Sequence, residues 1–271
     1  MMCVLCGSTN SKELYDFGER KVVECKTCGL ARTQGVAGFN YKHYHRDEDY
    51  LKFEKMFQNI FFKRLKIIER FAGGGRRVLD IGASTGTFLN LFKKKGWETW
   101  GIEPSRSGDV AREKGIKILK ETFEGALMPK DYFDVVILNH TLEHVVDPVL
   151  VMKKVKAVLK KDGIVFVDVP NFGGLSSRVF GRHWRFLTLN EHLFHFTSQS
   201  LRKVMEKSGF KVIHQESRSG LFEYGNPLNE LWNALTTFKK RFFTDLITFP
   251  YAAITTILNM GNSMTAIGKK R

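Results

Sequence analysis

The chain has 271 residues, of which 43% are hydrophobic and 26% charged, and these values exclude a disordered, collagen-like or repeat-built protein. Its net charge of +15, from 43 Lys and Arg against 28 Asp and Glu, predicts an anionic partner. A phosphorylated metabolite, a nucleic acid or a membrane surface fits this charge, although the scattered basic residues are equally typical of a solvated surface.

Neither a membrane span nor a signal peptide is predicted. The longest apolar stretch runs from Leu246 to Met260 and contains Pro250 and Asn259, whereas a span needs about 20 apolar residues. The first residues, Met1 to Cys6, have no basic region before an apolar run. We therefore expect a cytoplasmic location.

Residues 1–35 contain all four cysteines, as two Cys-x2-Cys pairs, Cys3 with Cys6 and Cys25 with Cys28. This spacing is typical of a Zn²⁺ ion held by four thiolates, and disulfides are disfavoured in a cytoplasmic chain. Four protein ligands leave no open coordination position. The sequence thus predicts a zinc ribbon in which the metal is structural.

Residues 36–72 are predicted to form a helical linker. Apolar residues recur there at steps of three and four, which is the pattern of an amphipathic helix. The run Gly73-Gly74-Gly75 ends the pattern and marks the start of the main domain.

Residues 73–271 alternate between strand and helix patterns, which predicts a doubly wound, mostly parallel α/β sheet covered on both faces. The predicted strands are 77–82, 98–103, 116–119, 133–139, 163–169, 211–217 and 263–269. The predicted helices are 86–95, 106–114, 148–160 and 198–208. Segment 226–260 is read as a helical insert before the last strand, which covers a pocket as a lid, forms a dimer face or lies on a membrane surface.

A glycine loop follows the first of these strands. Gly82 and Gly86 are spaced as Gly-x-x-x-Gly, which matches neither a dinucleotide-binding fingerprint nor a P-loop. Glu103 ends the second strand, where a carboxylate can accept both hydroxyls of a ribose. Together these features predict a site for a nucleoside-bearing cofactor.

Residues 75–170 resemble the class I S-adenosylmethionine-dependent methyltransferases. The resemblance lies in Val78-Leu79-Asp80-Ile81-Gly82-x-x-x-Gly86-x-Phe88, in Gly101-Ile102-Glu103-Pro104 and in Phe133-Asp134-Val135-Val136. It implies a Rossmann-like fold and S-adenosylmethionine as the cofactor. The cofactor-binding residues that it implies are Asp80, Gly82, Ala83, Gly86, Phe88, Glu103, Pro104, Thr122, Phe123 and Asn139.

Two later segments carry the candidates for catalysis. The first, Asn139 to Val145, contains His144, whose commoner role is structural. The second, Asn190 to Thr197, places two His and a Glu among aromatic residues. This composition suits either a site that removes a proton away from water or a Phe-rich lid.

Glu191-His192-Leu193 resembles a motif of the deoxysugar C-methyltransferases, which also begin with a Cys-x-x-Cys zinc region; the shorter methyltransferases of surface-polysaccharide clusters look closer overall. The resemblance implies that His192 is the general base, assisted by Glu191, with His195 and His144 as weaker candidates. It also implies a nucleotide- or lipid-linked sugar as the acceptor, methylated at carbon or oxygen for polysaccharide biosynthesis.

Two other readings remain open at this point. An RNA methyltransferase would use the ribbon and the basic surface to bind phosphates, and its binding would weaken steeply with salt. A non-catalytic scaffold would retain the cofactor fold without its activity.

Overall fold

The structure, a computed structural model, describes residues 2–35, 54–220, 222 and 242–271. The first part of the predicted linker and residues 226–241 of the predicted insert lie outside the described residues. The strands are β1 (Ser11–Asp16), β2 (Lys21–Cys25), β3 (Ala31–Gln34), β4 (Arg77–Ile81), β5 (Glu98–Ile102), β6 (Lys117–Leu119), β7 (Phe133–Asn139), β8 (Leu159–Pro170), β9 (Phe194–His195), β10 (Phe210–Arg218) and β11 (Ser263–Lys270). The helices are α1 (Glu54–Phe71), α2 (Thr87–Lys93), α3 (Ser107–Glu113), α4 (Pro148–Val158), α5 (Leu175–Phe180), α6 (Ser198–Lys207) and α7 (Phe242–Ile257).

The main sheet has seven strands in the order β10-β11-β8-β7-β4-β5-β6. Strand β11 is antiparallel to both of its neighbours, and the pairs from β8 to β6 are parallel. Strands β4 and β7 and the part of β8 from Gly163 to Pro170 are buried along almost their whole length, as expected of central strands covered on both faces. The predicted doubly wound α/β fold is therefore confirmed, with strand positions within a few residues of the expected ones.

The four-stranded N-terminal sheet has the order β1-β2-β3-β9. Its fourth strand comes from the methyltransferase region, where Phe194 and His195 pair with Arg32 and Ala31. The N-terminal sheet is therefore completed by residues far beyond the predicted boundary at residue 35. A two-residue strand carries no periodicity, so the sequence pattern did not reveal it.

The ribbon and helix α1 belong to different apolar clusters of the core. Cys3, Leu5 and Leu30 of the ribbon pack in one cluster with residues of α4 and α6. Helix α1 packs in the other, where the ring of Phe61 stacks on Phe88 of α2 at 4.8 Å between centroids. The ribbon and the linker helix thus extend the core of the main domain.

Helix α7 confirms a helix in the described part of the predicted insert. It contains Pro250, and its Ile247, Ile254 and Ile257 side chains are exposed. No helix among the described residues has the length and apolar character needed to cross a membrane.

The strand order reverses between β4 and β7, since the chain moves from β4 to β5 and β6 and then returns to β7 and β8. A crevice forms outside the carboxyl ends of the strands at such a point and is the usual ligand site of open α/β sheets. Gly82, Glu103 and Asn139 each end or follow one of these strands. The topology therefore places all three at one edge.

Candidate active site

A cavity of about 460 Å³ opens at this edge, which is within the ~300–1,000 Å³ typical of small-molecule sites. Six of the residues predicted to bind the cofactor line it: Gly82, Glu103, Pro104, Thr122, Phe123 and Asn139. The other four, Asp80, Ala83, Gly86 and Phe88, lie outside the lining.

The loop after β4 brings the backbone to the cavity wall. Gly82 has φ +81°, and a Cβ added to it would lie 2.6 Å from Thr141 Oγ1. Its N–H donates to the carbonyl oxygen of Ile102. Gly86 has φ +69° and would place a Cβ 2.6 Å from Ile116 Cδ1. At both positions the left-handed backbone and the lack of room for a Cβ therefore require glycine.

Replacing Gly82 by Ala is expected to lower the free energy of unfolding by about 2–4 kcal/mol, because left-handed backbone strain adds to a steric clash. Gly96 is the matched control: it has φ +78°, but its Cβ would meet nothing within 4 Å. Denaturant unfolding should therefore show a loss of only about 1–2 kcal/mol for Gly96→Ala. Equal losses in the two variants would show that Thr141 moves aside at little cost.

Glu103 joins the glycine loop to the end of β5. Its Oε2 accepts the Ser84 N–H at 2.8 Å, and its Oε1 accepts the Ser105 N–H at 2.9 Å. The residue is 8% exposed and lines the cavity. A carboxylate has about four acceptor positions, so each oxygen retains capacity for one more donor. This arrangement fits the two hydroxyls of a ribose.

Asp80 lies behind the loop. It is 2% exposed, and its Oδ1 has no hydrogen-bond partner among the described residues. Burial, together with the nearby Glu103 carboxylate, raises the pKa of Asp80 to about 8. Asp80 is therefore neutral at pH 7, and the structure gives it no direct place in the cavity.

Arg64 of α1 is a site residue that the sequence analysis missed. Its guanidinium donates to Asn139 Oδ1 at 2.6 Å and to Asp168 Oδ1 at 2.7 Å. Asp168 also accepts hydrogen bonds from the hydroxyls of Ser263 and Thr265. In the sequence, Arg64 is marked only as a cation on the apolar face of the helix, four residues after Ile60 and four before Ile68.

Three residues of the catalytic segments meet in the wall of the same cavity: Glu143, His144 and His192. The two imidazole rings lie 4.8 Å apart between centroids. His192 Nε2 lies 4.0 Å from Glu143 Oε1. The backbone carbonyl of Glu143 accepts the N–H groups of Leu193 and Phe194, which ties the two segments together.

The acid that faces His192 is Glu143 rather than the predicted Glu191. Glu191 is outside the cavity lining, and its backbone carbonyl accepts the Nδ1–H of His144 at 2.8 Å. Glu143 is 1% exposed, and neither of its carboxylate oxygens has a hydrogen-bond partner among the described residues. His192 therefore faces an acid almost fifty positions away in the sequence, Glu143.

Burial lowers the pKa of His192 to about 4, so the ring is neutral at pH 7. Its Nδ1 lies 3.0 Å from the carbonyl oxygen of Phe186. Because a carbonyl only accepts, Nδ1 carries the hydrogen and Nε2 carries the lone pair. Burial alone would raise the pKa of Glu143, but the His140 imidazole, whose Nδ1 lies 3.4 Å from Glu143 Oε1, lowers it to about 2.

His195 points toward the ribbon and is outside the cavity lining. Thr33 Oγ1 donates to the carbonyl oxygen of His192 at 2.8 Å, and the Thr33 N–H donates to the carbonyl of Leu193. The hydrogen of the Thr33 hydroxyl is therefore already used, so the Nε2–H of His195, 2.9 Å away, donates to the Thr33 hydroxyl oxygen. Burial lowers the pKa of His195 to about 3. The ribbon thus contacts the segment that carries His192.

The four cysteine sulfurs lie within 4.8 Å of one another. Cys3 and Cys28 are 3.5 Å apart at Sγ, as are Cys6 and Cys25. A disulfide requires about 2.05 Å, whereas a tetrahedral zinc with Zn–S bonds of about 2.3 Å separates its sulfurs by about 3.8 Å. The geometry of the cluster fits a four-thiolate metal site.

Among curated proteins, the chain is similar to enzymes that methylate oxygen or carbon. A ubiquinone biosynthesis O-methyltransferase of Actinobacillus pleuropneumoniae is 34% identical over 40% of this chain and 52% of its own length. The C-methyltransferase NovU of Streptomyces niveus is 28% identical over 51% of this chain and 34% of its own length. The chain thus spans between a third and about half of the length of these two relatives.

Solved structures and a family profile agree on the fold. A SAM-dependent methyltransferase from Thermotoga maritima covers 83% of this chain and 95% of its own, with TM-score 0.57 and 20% identity. A phosphoethanolamine N-methyltransferase of Haemonchus contortus, solved with S-adenosylhomocysteine, covers 83% of this chain and 57% of its own, with TM-score 0.59 and 19% identity. The profile of the family described as "Methyltransferase domain" matches residues 53–215, more than half of the chain. The chain therefore belongs to the methyltransferase domain family.

Proposed function

We propose that the protein transfers a methyl group from S-adenosylmethionine to oxygen or carbon of a small-molecule acceptor. One observation carries the proposal: the edge predicted to hold the cofactor and the Glu143–His144–His192 cluster line a single cavity. Methyl donor and proton acceptor would thus face the same acceptor molecule. The similarity to an O-methyltransferase and a C-methyltransferase supports this reaction class.

The cofactor half of the cavity would hold S-adenosylmethionine through Glu103 on the ribose hydroxyls, Gly82 at the backbone approach, and Thr122 and Phe123 beside the base. The cofactor supplies a methyl group that is already activated by its sulfonium. The protein therefore has to align the acceptor, exclude water and remove a proton, and alignment alone contributes several kcal/mol.

The part of the cavity near His144 and His192 would hold the acceptor. We propose that this acceptor is anionic, a nucleotide- or lipid-linked sugar. Arg185 is exposed and lines the cavity, and its guanidinium lies 5.0 Å from the ring centroid of Phe186. A guanidinium in this position suits a phosphate or diphosphate. The net charge of +15 adds long-range attraction for the same ligand class.

The four-cysteine cluster would hold a structural Zn²⁺. All four ligands come from the protein, so the ion has no open position for catalysis. Its proposed role is to fold the ribbon, whose Thr33 contacts the segment of His192.

Proton removal is assigned to the buried cluster, with His192 Nε2 as the atom that faces the acceptor. His192→Gln is expected to lower methyl transfer by at least about 100-fold, since a positioned proton acceptor typically contributes 10²–10⁴-fold. S-Adenosylhomocysteine should bind with unchanged affinity, because His192 is absent from the cofactor edge. The exposed His183→Gln is the control variant, and full turnover by His192→Gln would remove His192 from the reaction.

The acceptor class is tested by transferring labelled methyl from S-adenosylmethionine into fractionated extract of the source cells. Label in the nucleotide-sugar or lipid-linked fraction is the expected result. Label in a nuclease-sensitive fraction would contradict this proposal and indicate that the acceptor is RNA. Failure to bind S-adenosylhomocysteine at any concentration would overturn the cofactor assignment itself.

A further inference from the structure

Two imidazole nitrogens and a carboxylate oxygen face one another in the wall of the cavity. His144 and His192 both direct their Nδ1–H at backbone carbonyls, those of Glu191 and Phe186. In a neutral ring with this tautomer, Nε2 is the atom that can bind a cation. Together with a Glu143 carboxylate oxygen, these ligand atoms all lie within 4.8 Å of one another.

A cation among the three atoms would stabilise the buried carboxylate of this group. Both Glu143 oxygens are buried without a hydrogen-bond partner among the described residues, and an unsatisfied buried carboxylate is costly. His140 Nδ1 is 3.4 Å from Glu143 Oε1, but the other ring nitrogen of His140 lies 3.2 Å from Asp168 Oδ1. His140 is thus shared with a second carboxylate.

We propose that Glu143, His144 and His192 bind a divalent transition-metal cation. Metal-bound histidines usually donate their other ring N–H to a carbonyl or carboxylate, as both of these histidines do. Two imidazoles and one carboxylate favour Mn²⁺, Fe²⁺, Co²⁺ or Zn²⁺ over Mg²⁺ or Ca²⁺. With bonds of about 2.1 Å, ligand atoms of a tetrahedral ion lie about 3.4 Å apart. His192 Nε2 and Glu143 Oε1, now 4.0 Å apart, would have to approach by a fraction of an ångström.

The position of the site indicates what the cation does. All three ligands line the cavity that also contains Gly82 and Glu103, and three protein ligands leave coordination positions for an oxygen of the acceptor. A hydroxyl bound there has a lowered pKa and releases its proton to water more readily. His192 then acts as a ligand, so its replacement abolishes turnover in either case. This role depends on the proposed function, whereas the existence of the cation site does not.

The test is a titration of the full-length protein with Mn²⁺, in which electron paramagnetic resonance measures the free ion. Mn²⁺ is chosen because the thiolates of the ribbon favour softer metals. We expect one Mn²⁺ per chain, and binding at least about 10-fold weaker in Glu143→Gln and His192→Gln. His214→Gln is the matched control, because His214 also faces a carboxylate, that of Glu216 at 3.4 Å, outside the cavity. It should bind Mn²⁺ like the wild type.

S-Adenosylhomocysteine binding, measured separately, verifies the fold of each variant and distinguishes the two proposals. Wild-type protein that binds S-adenosylhomocysteine but no Mn²⁺ would overturn the cation site and leave His192 as a metal-free base. Mn²⁺ binding that Glu143→Gln and His192→Gln leave unchanged would also overturn it. Mn²⁺ binding that the variants weaken, in a protein that does not bind S-adenosylhomocysteine, would support the cation site while removing the proposed function.

Discussion

Replacing Cys25 by Ser is expected to unfold the ribbon and to lower methyl transfer at least about 100-fold, while the affinity for S-adenosylhomocysteine changes by less than about 3-fold. The structural Zn²⁺ proposed for the four cysteines would contribute much of the folding free energy of so small a unit. Loss of the ribbon removes β3, the hydrogen-bonding partner of β9, and with it the Thr33 contacts to residues 192–195. The cofactor edge lies on β4, β5 and β7, so cofactor binding should survive.

Limited proteolysis and calorimetry with S-adenosylhomocysteine measure the two parts of this prediction. Thr33→Val is the matched variant, because it removes the hydroxyl that contacts His192 and His195 but leaves all four thiols in place. It should lower turnover without releasing metal, and Thr33→Ser should restore it. A Cys25→Ser protein with full turnover would mean that the ribbon is dispensable for catalysis.

Glu103→Gln is expected to weaken S-adenosylhomocysteine binding about 100-fold, which corresponds to about 2.7 kcal/mol. The charge-assisted hydrogen bonds proposed between Glu103 and two ribose hydroxyls would become weaker, each being worth about 1.5–3 kcal/mol at full charge. The amide that replaces one carboxylate oxygen also places N–H groups against the N–H of Ser84 or Ser105. The substitution would thus disturb both the position of the glycine loop and the proposed contact with the ribose.

Isothermal calorimetry with Glu98→Gln as the control measures this effect. Glu98 begins β5, the strand that Glu103 follows, and it also accepts several hydrogen bonds, from Trp100, Lys117 and Tyr132, but it is outside the cavity lining. The control should bind S-adenosylhomocysteine like the wild type. If Glu103→Gln binds equally well, the ribose lies elsewhere and the cofactor assignment of this edge is wrong.

The features that were predictable from the sequence are those encoded by neighbouring residues. Alternating apolar strands and amphipathic helices gave the sheet, since their periodicity follows from local geometry. The turn between β4 and α2 was predictable because its backbone conformation requires Gly82 and Gly86. Thr197 caps α6, and its capping box closes with Ser200, three residues away in the sequence.

The missed features depend on contacts between distant parts of the chain. Arg64 and Asn139 are 75 residues apart, and Thr33 and His192 are 159 apart. Glu143 is absent from the predicted site residues, because nothing near it in the sequence indicates that His192 lies opposite. Such pairs arise from the order in which strands and layers assemble, and no short motif records them.

Strand β11 also determines when the site can be completed during synthesis. It lies between β8 and β10, and its Ser263 and Thr265 hydroxyls are hydrogen-bonded to Asp168. Until the ribosome has released residues 263–270, β8 is an edge strand with unpaired backbone groups, and Asp168 lacks two of its donors. A nascent chain in this state presents an apolar template for pairing with other chains. The residues proposed to bind the cofactor are thus translated before the strand that covers the edge of β8.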